Sequence, residues 1–354
     1  MDLKVQDIFS HPNIYTLSAF IDEKEPMEES SFKMEKIEKS DSYPATSAQK
    51  RVFYTMQMNP DTVAYNTPGG IIFDTIPDLS ALEKSLCTLI QRHESLRTYF
   101  VLEQGEVVQK IKDNIDFSLD ILSDKYTNLD HLFREFLQPF DLSVAPLFRA
   151  KFVKFDNGKG ILFIDFHHIV CDGSSISIFV DELCKLYAGQ TLEPIRFTYK
   201  DYAIAEKNYQ NSETFTEDEN FWLSQLEGDI PVLDMPTSYA RPNTYSFEGS
   251  KITSEFSDFD KLLELCKKLN TTPYMFLLCI YEILLYKYTN QTDIIIGTPI
   301  VGRNIPEISN IIGMFVNTLA IKQNVQSTNK FSDFLELVKN NCLNAYNHQA
   351  YPFD

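Results

Sequence analysis

The stretch Gly160-Ile-Leu-Phe-Ile-Asp-Phe-His-His-Ile-Val-Cys-Asp-Gly173 decides how this chain is interpreted. Residues 160–166 form an apolar run of strand length, rich in isoleucine and phenylalanine, which predicts a buried strand. His167 and His168 follow directly, and Asp172 with Gly173 closes the stretch. The histidines therefore leave the end of the predicted strand, where an imidazole is well suited to move protons near neutral pH.

The residues after this stretch predict a helix over 177–187, because their apolar positions recur with helical spacing. Adjacent residues of a strand face opposite ways, so His168 is the candidate for the reactive imidazole and His167 for a structural role. Gly173 would permit close approach of the backbone, and its amide would donate to a developing oxyanion.

Further motifs surround the histidines and resemble, in content and order, the condensation domains of nonribosomal peptide synthetases. These domains are relatives of chloramphenicol acetyltransferase. The resemblance covers about residues 43 to 354. The matching segments are Thr46–Arg51 with Ala64–Pro68, Arg92–Phe100, Pro139–Leu142 with Pro146–Arg149, Tyr199–Ala203, Gly297–Pro299 with Gly302–Arg303, Ile312–Thr318, and His348–Asp354.

The alternation of predicted strands and helices favours an α/β fold. The resemblance implies two chloramphenicol acetyltransferase-like lobes in a V-shaped pseudo-dimer, with the histidines at the tunnel between them. We expect an N-lobe over 43–215 and a C-lobe over 216–354, separated by a polar and proline-rich stretch. Because family members extend beyond Asp354, the second lobe is expected to be truncated and incomplete.

The first residues carry a second resemblance. Residues 1–21 resemble the C-terminal helix of a peptidyl carrier domain, and Ser10 before Pro12 predicts a helix start. Residues 22–42 are acidic and without apolar periodicity, which indicates a linker. The chain is therefore expected to be a fragment of a longer multidomain protein.

Local patterns give further predictions. A helix is predicted over 80–93, capped by Ser80 with Glu83 three residues later. Residues 104–106 predict a hairpin turn, and the pair Gly69-Gly70 after a proline predicts another turn. Residues 258–270 and 273–288 predict two helices, and residues 293–297 predict a buried strand.

The resemblance implies an acyltransferase that joins two carrier-bound groups through a peptide bond. The acceptor's amine attacks the donor thioester, and His168 acts as a general base or positions the amine. Asp172 is expected to fix the loop geometry, and a buried aspartate needs a cationic partner. Arg303 is the first candidate for that partner, followed by Arg97 and Lys287.

Arg51 and Arg97 are expected to form structural ion pairs, and Asn317 to pin a loop or pack. Six scattered cysteines lack metal-like spacing, and buried, reduced thiols are expected. Cys171 lies inside the histidine motif, so a cysteine nucleophile is an alternative, although the family varies at that position. No metal site is predicted, because the adjacent histidines lack helical spacing and ligand-type partners.

The chain carries 32 basic and 50 acidic side chains, a net charge of −18, which argues against general nucleic-acid binding. It has no signal peptide and no apolar run of about 18 residues, so we expect a cytoplasmic enzyme without membrane contact. The resemblance implies an upstream donor carrier, a downstream acceptor carrier and an adenylation domain as partners. It implies no directly bound cofactor, only the carriers' phosphopantetheine arms, and a monomer within the multidomain chain.

Three other functions stay open from the sequence. An epimerisation domain shares the histidine motif but needs a further acidic catalytic residue in the second lobe. A non-catalytic scaffold would only dock carrier proteins, and such relatives usually lack the active-site histidine. A free acyltransferase would use a soluble coenzyme thioester, which the carrier-like tail argues against. The form Ser47-Ala-Gln-x-Arg51 resembles condensation domains that take an L-configured donor.

Overall fold

The computed structural model of the protein describes residues 5–23, 32–124, 128–241 and 249–353. It divides into two compact units. The histidine unit comprises Ser31–Ser212 and Val301–Val316, and the second unit comprises Met1–Ser30, Glu213–Ile300 and Asn317–Phe353. The segment Val301–Val316 thus belongs to the histidine unit although it follows, in sequence, a strand of the second unit.

The described residues form both helices and strands. The helices are α1 (Val5–Ser10), α2 (Ile14–Glu23), α3 (Ser47–Met58), α4 (Leu79–Arg92), α5 (Leu129–Phe136), α6 (Gly173–Tyr187), α7 (Tyr199–Tyr209), α8 (Glu213–Gln225), α9 (Phe259–Lys268), α10 (Pro273–Thr289) and α11 (Phe331–Asn347). The strands are β1 (Tyr43–Pro44), β2 (Asn66–Phe73), β3 (Thr98–Glu103), β4 (Glu106–Ile111), β5 (Asp120–Asp124), β6 (Phe148–Phe155), β7 (Gly160–His167), β8 (Asp293–Ile300) and β9 (Asn317–Asn324).

The predicted buried strand is β7, which lies inside the four-stranded sheet β2-β7-β6-β5 of the histidine unit. All eight residues of β7 are buried, because both faces of the sheet are covered. One face contributes Leu162 and Phe166 to the main core, and the other packs Phe163 against Phe136 of α5. The strand therefore reads as a continuous apolar run, as strands buried on two faces do. A separate sheet, β1-β4-β3, completes this unit.

The predicted hairpin turn between β3 and β4 is confirmed. Gln104 and Gly105 take positive φ values of 52° and 87°, as a tight turn between antiparallel strands requires. The predicted turn at Gly69-Gly70 is wrong, because both glycines lie inside β2 and pair with β7. A Cβ on Gly70 would lie 3.0 Å from the side chain of Ile161, so glycine here permits close packing rather than a turn.

Three predicted helix starts are wrong, two of them because of the position of the capping side chain. Asp78, not Ser80, caps α4, because its carboxylate accepts the backbone N–H of Ser80. Asp172 caps α6, so this helix starts at Gly173 instead of residue 177. Ser10 ends α1 rather than starting a helix. The next helix, α2, starts at Ile14.

The second unit contains the antiparallel pair β8-β9 and helices α9 to α11. The helices predicted over 258–270 and 273–288 are confirmed by α9 and α10. The strand predicted over 293–297 is confirmed by β8, but its predicted burial is wrong, because only Ile294 of these five residues is buried. Trp222, Cys279 and Val338 belong to its core. Residues 1–4 of the expected carrier tail and residues 24–31 of the expected linker lie outside the described residues. Asp354, the last residue of the expected C-lobe, also lies outside them. Within the described ranges, no helix combines the length and apolar character needed to cross a bilayer.

Candidate active site

The two adjacent histidines occupy different environments at the end of β7. His167 is completely buried, and its Nδ1 accepts the backbone N–H of Ile169 at 3.2 Å. Its ring proton therefore lies on Nε2. Burial is the main cause that lowers the pKa of His167 to about 3, so the ring is neutral at physiological pH.

His168 starts a single 3₁₀ turn that leads towards α6. Its backbone N–H donates to the carbonyl of Tyr65 at 2.8 Å, which fixes the residue to the end of β2. The ring is partly exposed, and its Nδ1 is buried without a hydrogen-bond partner. The opposite edge, with Nε2, is therefore the side of the ring that a substrate can reach.

Asp172 fixes the turn after the histidines rather than handling protons. It is 1% exposed, and its carboxylate accepts the N–H of Ser175 at 2.8 Å and that of Phe315 at 3.1 Å. Its cationic partner is Arg303, with Nη2 at 3.1 Å from Oδ1. These donors occupy both carboxylate oxygens and tie the turn after the histidines to α6 and to the segment Val301–Val316.

Arg303 ties the segment Val301–Val316 to the histidine turn. Its Nη1 donates to the carbonyls of Ile308 (2.6 Å) and Ile311 (2.8 Å), while Nη2 bonds Asp172. The guanidinium also lies 4.2 Å from the centre of the Phe315 ring. The planar guanidinium, with its five donors, can serve all these partners at once, which a lysine could not do.

Ser175 is a second polar centre of the site that the sequence interpretation missed. Its hydroxyl lies 2.8 Å from Asp172 Oδ1 and 2.9 Å from the carbonyl of Gly313, and it accepts from Gly313 N at 3.0 Å. A Cβ on Gly313 would lie 1.9 Å from the ring of Tyr199, so only glycine fits there. The spacing of Asp172 and Ser175, an N-cap aspartate and a serine three residues later in the first turn of α6, is the capping signal that could have identified this residue.

The remaining predicted residues take separate places. Arg97 is buried and donates to backbone carbonyls, including those of Ile90 and Gln91, so it does not pair with Asp172. Arg51 lies partly exposed on α3. In the second unit, Asn317 donates to the carbonyls of Gln349 and Tyr351. Lys287 also lies in the second unit, on α10.

Gly173 is the first residue of α6, and a Cβ built on it meets no protein atom within 4 Å. Its backbone does not take a positive φ, so the glycine is not needed for conformation. The space beside it is open.

Cys171 is 0% exposed, and burial raises the pKa of its thiol well above the usual range. A thiolate nucleophile at this position is therefore disfavoured. All six cysteines are free thiols, and four of them are buried. The expectation of burial is wrong for the other two, because Cys87 is only partly buried and Cys184 is exposed. In the described ranges, no group of three or more histidine, cysteine or acidic side chains is arranged to hold a metal ion.

Sequence comparison identifies the family to which this arrangement belongs. Residues 39–354 match the family model of the condensation domain. The chain is 39% identical over its whole length to Tyrocidine synthase 2 of Brevibacillus parabrevis, of which it spans 10%. The chain therefore belongs to the condensation domain family, as the motifs predicted, and with it to a class of acyltransferases.

Structural comparison gives the same fold. The X-domain from teicoplanin biosynthesis superposes with a TM-score of 0.82 at 22% identity, covering 90% of this chain and 74% of that one. The first condensation domain of the CDA synthetase superposes with a TM-score of 0.72 at 18% identity, covering 89% of this chain and 78% of that one. The predicted α/β fold of condensation domains is thereby confirmed.

Proposed function

We propose that this chain forms a peptide bond between two groups held as thioesters on carrier domains of a nonribosomal peptide synthetase. The α-amine of the acceptor attacks the carbonyl carbon of the donor thioester, the C–S bond breaks, and the donor arm leaves as a thiol. The observation that carries the proposal is the reachable edge of His168, held at a strand end by the backbone of Tyr65 in a chain of the condensation family.

We assign proton handling to His168. As a general base it takes the proton that the amine loses on attack and returns one to the departing sulfur, so protons balance over the reaction. General acid–base catalysis contributes about 10²–10⁴-fold. Holding the two arms together contributes a further large factor, because thioester aminolysis is limited by the encounter of its reactants.

Charge on the carbonyl oxygen is proposed to be stabilised at the start of α6. The first N–H groups of a helix have no acceptor within the helix and point out from a positive dipole end. Gly173 is the first residue of α6, so its N–H is one of these groups, and the position of a Cβ on it is open. Asp172 and Arg303 keep this helix start in place and act as positioning residues.

The partners follow from the reaction. We propose an upstream donor carrier, a downstream acceptor carrier and a neighbouring adenylation domain in a cytoplasmic, monomeric multidomain chain. Phosphopantetheine arms of the carriers bring both substrates, the donor being L-configured. Residues 1–21 are proposed as a carrier tail, 22–42 as a linker, 43–215 as an N-lobe and 216–354 as a C-lobe.

One observation keeps a docking scaffold as the second candidate. The X-domain that shares this fold has a structure in complex with OxyB, so the fold also occurs in a complex with another protein. The presence of His167, His168 and Asp172 in this chain favours catalysis over docking alone. The family match also favours condensation over epimerisation.

A single-turnover assay tests the proposal. Donor and acceptor carriers are loaded, loading is verified by intact-protein mass, and dipeptidyl carrier is followed with wild type, His168→Ala and His131→Ala. His131 is the matched control, an exposed histidine on α5. We expect product with wild type and the control, and a loss of about 10²-fold or more with His168→Ala. Equal rates in all three would remove His168 from the chemistry, and no product with wild type would favour the docking scaffold.

A further inference from the structure

Three buried polar atoms without hydrogen-bond partners lie behind the histidine turn. They are Oδ1 of Asn66, Oδ1 of Asp165 and Nε2 of His167. Asn66 pairs directly opposite His167 between β2 and β7, and Asp165 lies two residues before His167 on β7. All three side chains therefore project from the same face of the sheet.

The other polar atoms of these side chains have polar partners within the protein, which fixes the orientation of each side chain. Asn66 Nδ2 donates to Asp165 Oδ2 at 2.6 Å and to the carbonyl of Gln138 at 2.9 Å. Arg149 Nε lies 3.6 Å from the same carboxylate oxygen, Oδ2. His167 Nδ1 is used by Ile169. What remains is one donor, the Nε2–H of His167, and two acceptors.

Burying a polar atom without a partner destabilises the folded state, and three such atoms from adjacent positions on one face are unusual in a folded protein. One donor and two acceptors are the complement of a water molecule, which accepts one hydrogen bond and donates two. A cation does not fit this set, because the Nε2–H of His167 and the guanidinium of Arg149 both oppose positive charge.

We propose that Asn66 and Asp165 are positioning residues that hold one buried water against His167 and thereby fix the turn presenting His168. The water joins the three atoms and keeps the ring of His167 in its Nε2–H form. The Nδ1 of that ring then holds the amide of Ile169, next to His168. The kinetic part of this inference rests on the proposed function, whereas the water and the ring state do not.

We expect the surroundings of the His167 ring to change with pH because Asp165 titrates, although His167 itself does not. Burial raises the pKa of Asp165 to about 6, against the opposing effects of Asn66, Arg149 and the backbone N–H of Thr67, while the pKa of His167 lies near 3. The other titratable groups around this pocket are His168 and, through its ring near His167, Tyr65. Between pH 5 and 8, the charge on Asp165 changes while the His167 ring stays neutral.

Protein labelled with ¹⁵N-histidine tests this, because only six ring systems contribute signals. Long-range ¹H–¹⁵N spectra are recorded from pH 5 to 8 on wild type, Asp165→Asn and His168→Gln. We expect His167 as the Nε2–H form, with a shift centred near pH 6 that persists in His168→Gln and disappears in Asp165→Asn. Asp120→Asn, an exposed carboxylate of the same sheet, should leave the shift unchanged.

Two outcomes would overturn the inference directly. The Nδ1–H form of His167 would show that the ring is held otherwise. A His167 signal without an inflection in this range would show that Asp165 does not act on it. A crystal structure of this chain that resolves ordered water should also show one water within hydrogen-bond distance of the three atoms, and an empty pocket would disprove the bridge.

The kinetic arm compares Asp165→Leu with the conservative Asp165→Asn in the condensation assay. Leucine at position 165 removes the carboxylate that holds the water and Asn66, so the turn that presents His168 should be displaced. Dipeptide formation should then slow roughly tenfold, while the apparent KM for loaded carrier stays unchanged. Asparagine should restore most of the rate. Equal rates for leucine and asparagine would disprove the positioning role. A wild type that makes no dipeptide would instead disprove the proposed function, and the ring signals would still decide the water bridge.

Discussion

Glu282 on α10 is a buried carboxyl group of the second unit. It is 0% exposed, and neither carboxylate oxygen has a hydrogen-bond partner. Burial raises its pKa from 4.5 to about 8. The thiols of Cys279 and Cys342 lie close enough for Glu282 to affect them, and burial raises their pKa values to about 12, so both stay neutral at physiological pH.

The sign of the effect follows from proton binding. Between about pH 4.5 and 8 the folded protein binds a proton on Glu282 that the unfolded chain has lost. Below pH 4.5 Glu282 is therefore protonated in both states and does not lower the stability of the fold. As the pH rises from 4.5 to 8, the folded state loses stability relative to the unfolded chain. The slope is about 1.4 kcal/mol per pH unit. Between pH 5 and pH 8 the second unit should lose roughly 3–4 kcal/mol, a large share of the stability of a typical domain.

The assay uses the only tryptophan of the chain. Trp222 is buried in the core of the same unit, so its fluorescence during urea unfolding reports this unit. Wild type, Glu282→Gln and Glu264→Gln are compared at each pH, the last being an exposed glutamate of α9. The difference in unfolding free energy between Glu282→Gln and wild type should grow towards pH 8, and Glu264→Gln should follow wild type.

Comparing variants at each pH removes the contribution of all other titrating groups, which the variants share. Parallel stability curves for Glu282→Gln and wild type from pH 5 to 8 would refute the reasoning, because they would mean that Glu282 ionises in the folded protein at no cost. Glu282→Met extends the test, since it removes the polar group and should be more stable than wild type at pH 8.

Three further outcomes concern the histidine unit. Arg303→Met leaves the buried carboxylate of Asp172 without its cation. The unfolding free energy measured with urea should fall by about 3–5 kcal/mol, and hydrogen exchange in α6 should become faster. Lys185→Met, which removes an exposed ion pair of the same helix, should change neither measurement. Gly173→Ala should leave the unfolding free energy within about 1 kcal/mol of wild type, because the added Cβ meets no protein atom. The same change should slow dipeptide formation roughly tenfold, because the Cβ enters the space proposed for the substrate. Cys171 should resist alkylation by iodoacetamide in the native protein and react only on unfolding, as followed by mass spectrometry.

Fold similarity alone does not decide function for this family. A condensation domain and the X-domain of teicoplanin biosynthesis both superpose on this chain at low sequence identity. The layered sheet and helices provide a scaffold, and the chemistry depends on the side chains at the end of β7. The assay with His168→Ala therefore carries more weight for function than any further structural match.

The sequence by itself determined the family and the elements that carry the site. The order of the motifs pointed to a condensation domain, and the apolar run before His167 predicted β7, because a strand buried on two faces must be apolar throughout. The periodicity of residues 273–288 likewise predicted α10. These signals are carried by contiguous residues, since the periodicity of a helix and the apolar run of a strand are both present within one short segment.

Only the tertiary structure decided which distant groups meet. Arg303, Arg97 and Lys287 were all candidate partners for Asp172, and the structure brings in Arg303 from 131 residues away. The role of Ser175, through its contact with Gly313, also depends on where the returning segment Val301–Val316 crosses. Such pairs are set by the path of the chain in space, and no periodicity or spacing within either segment contains that information.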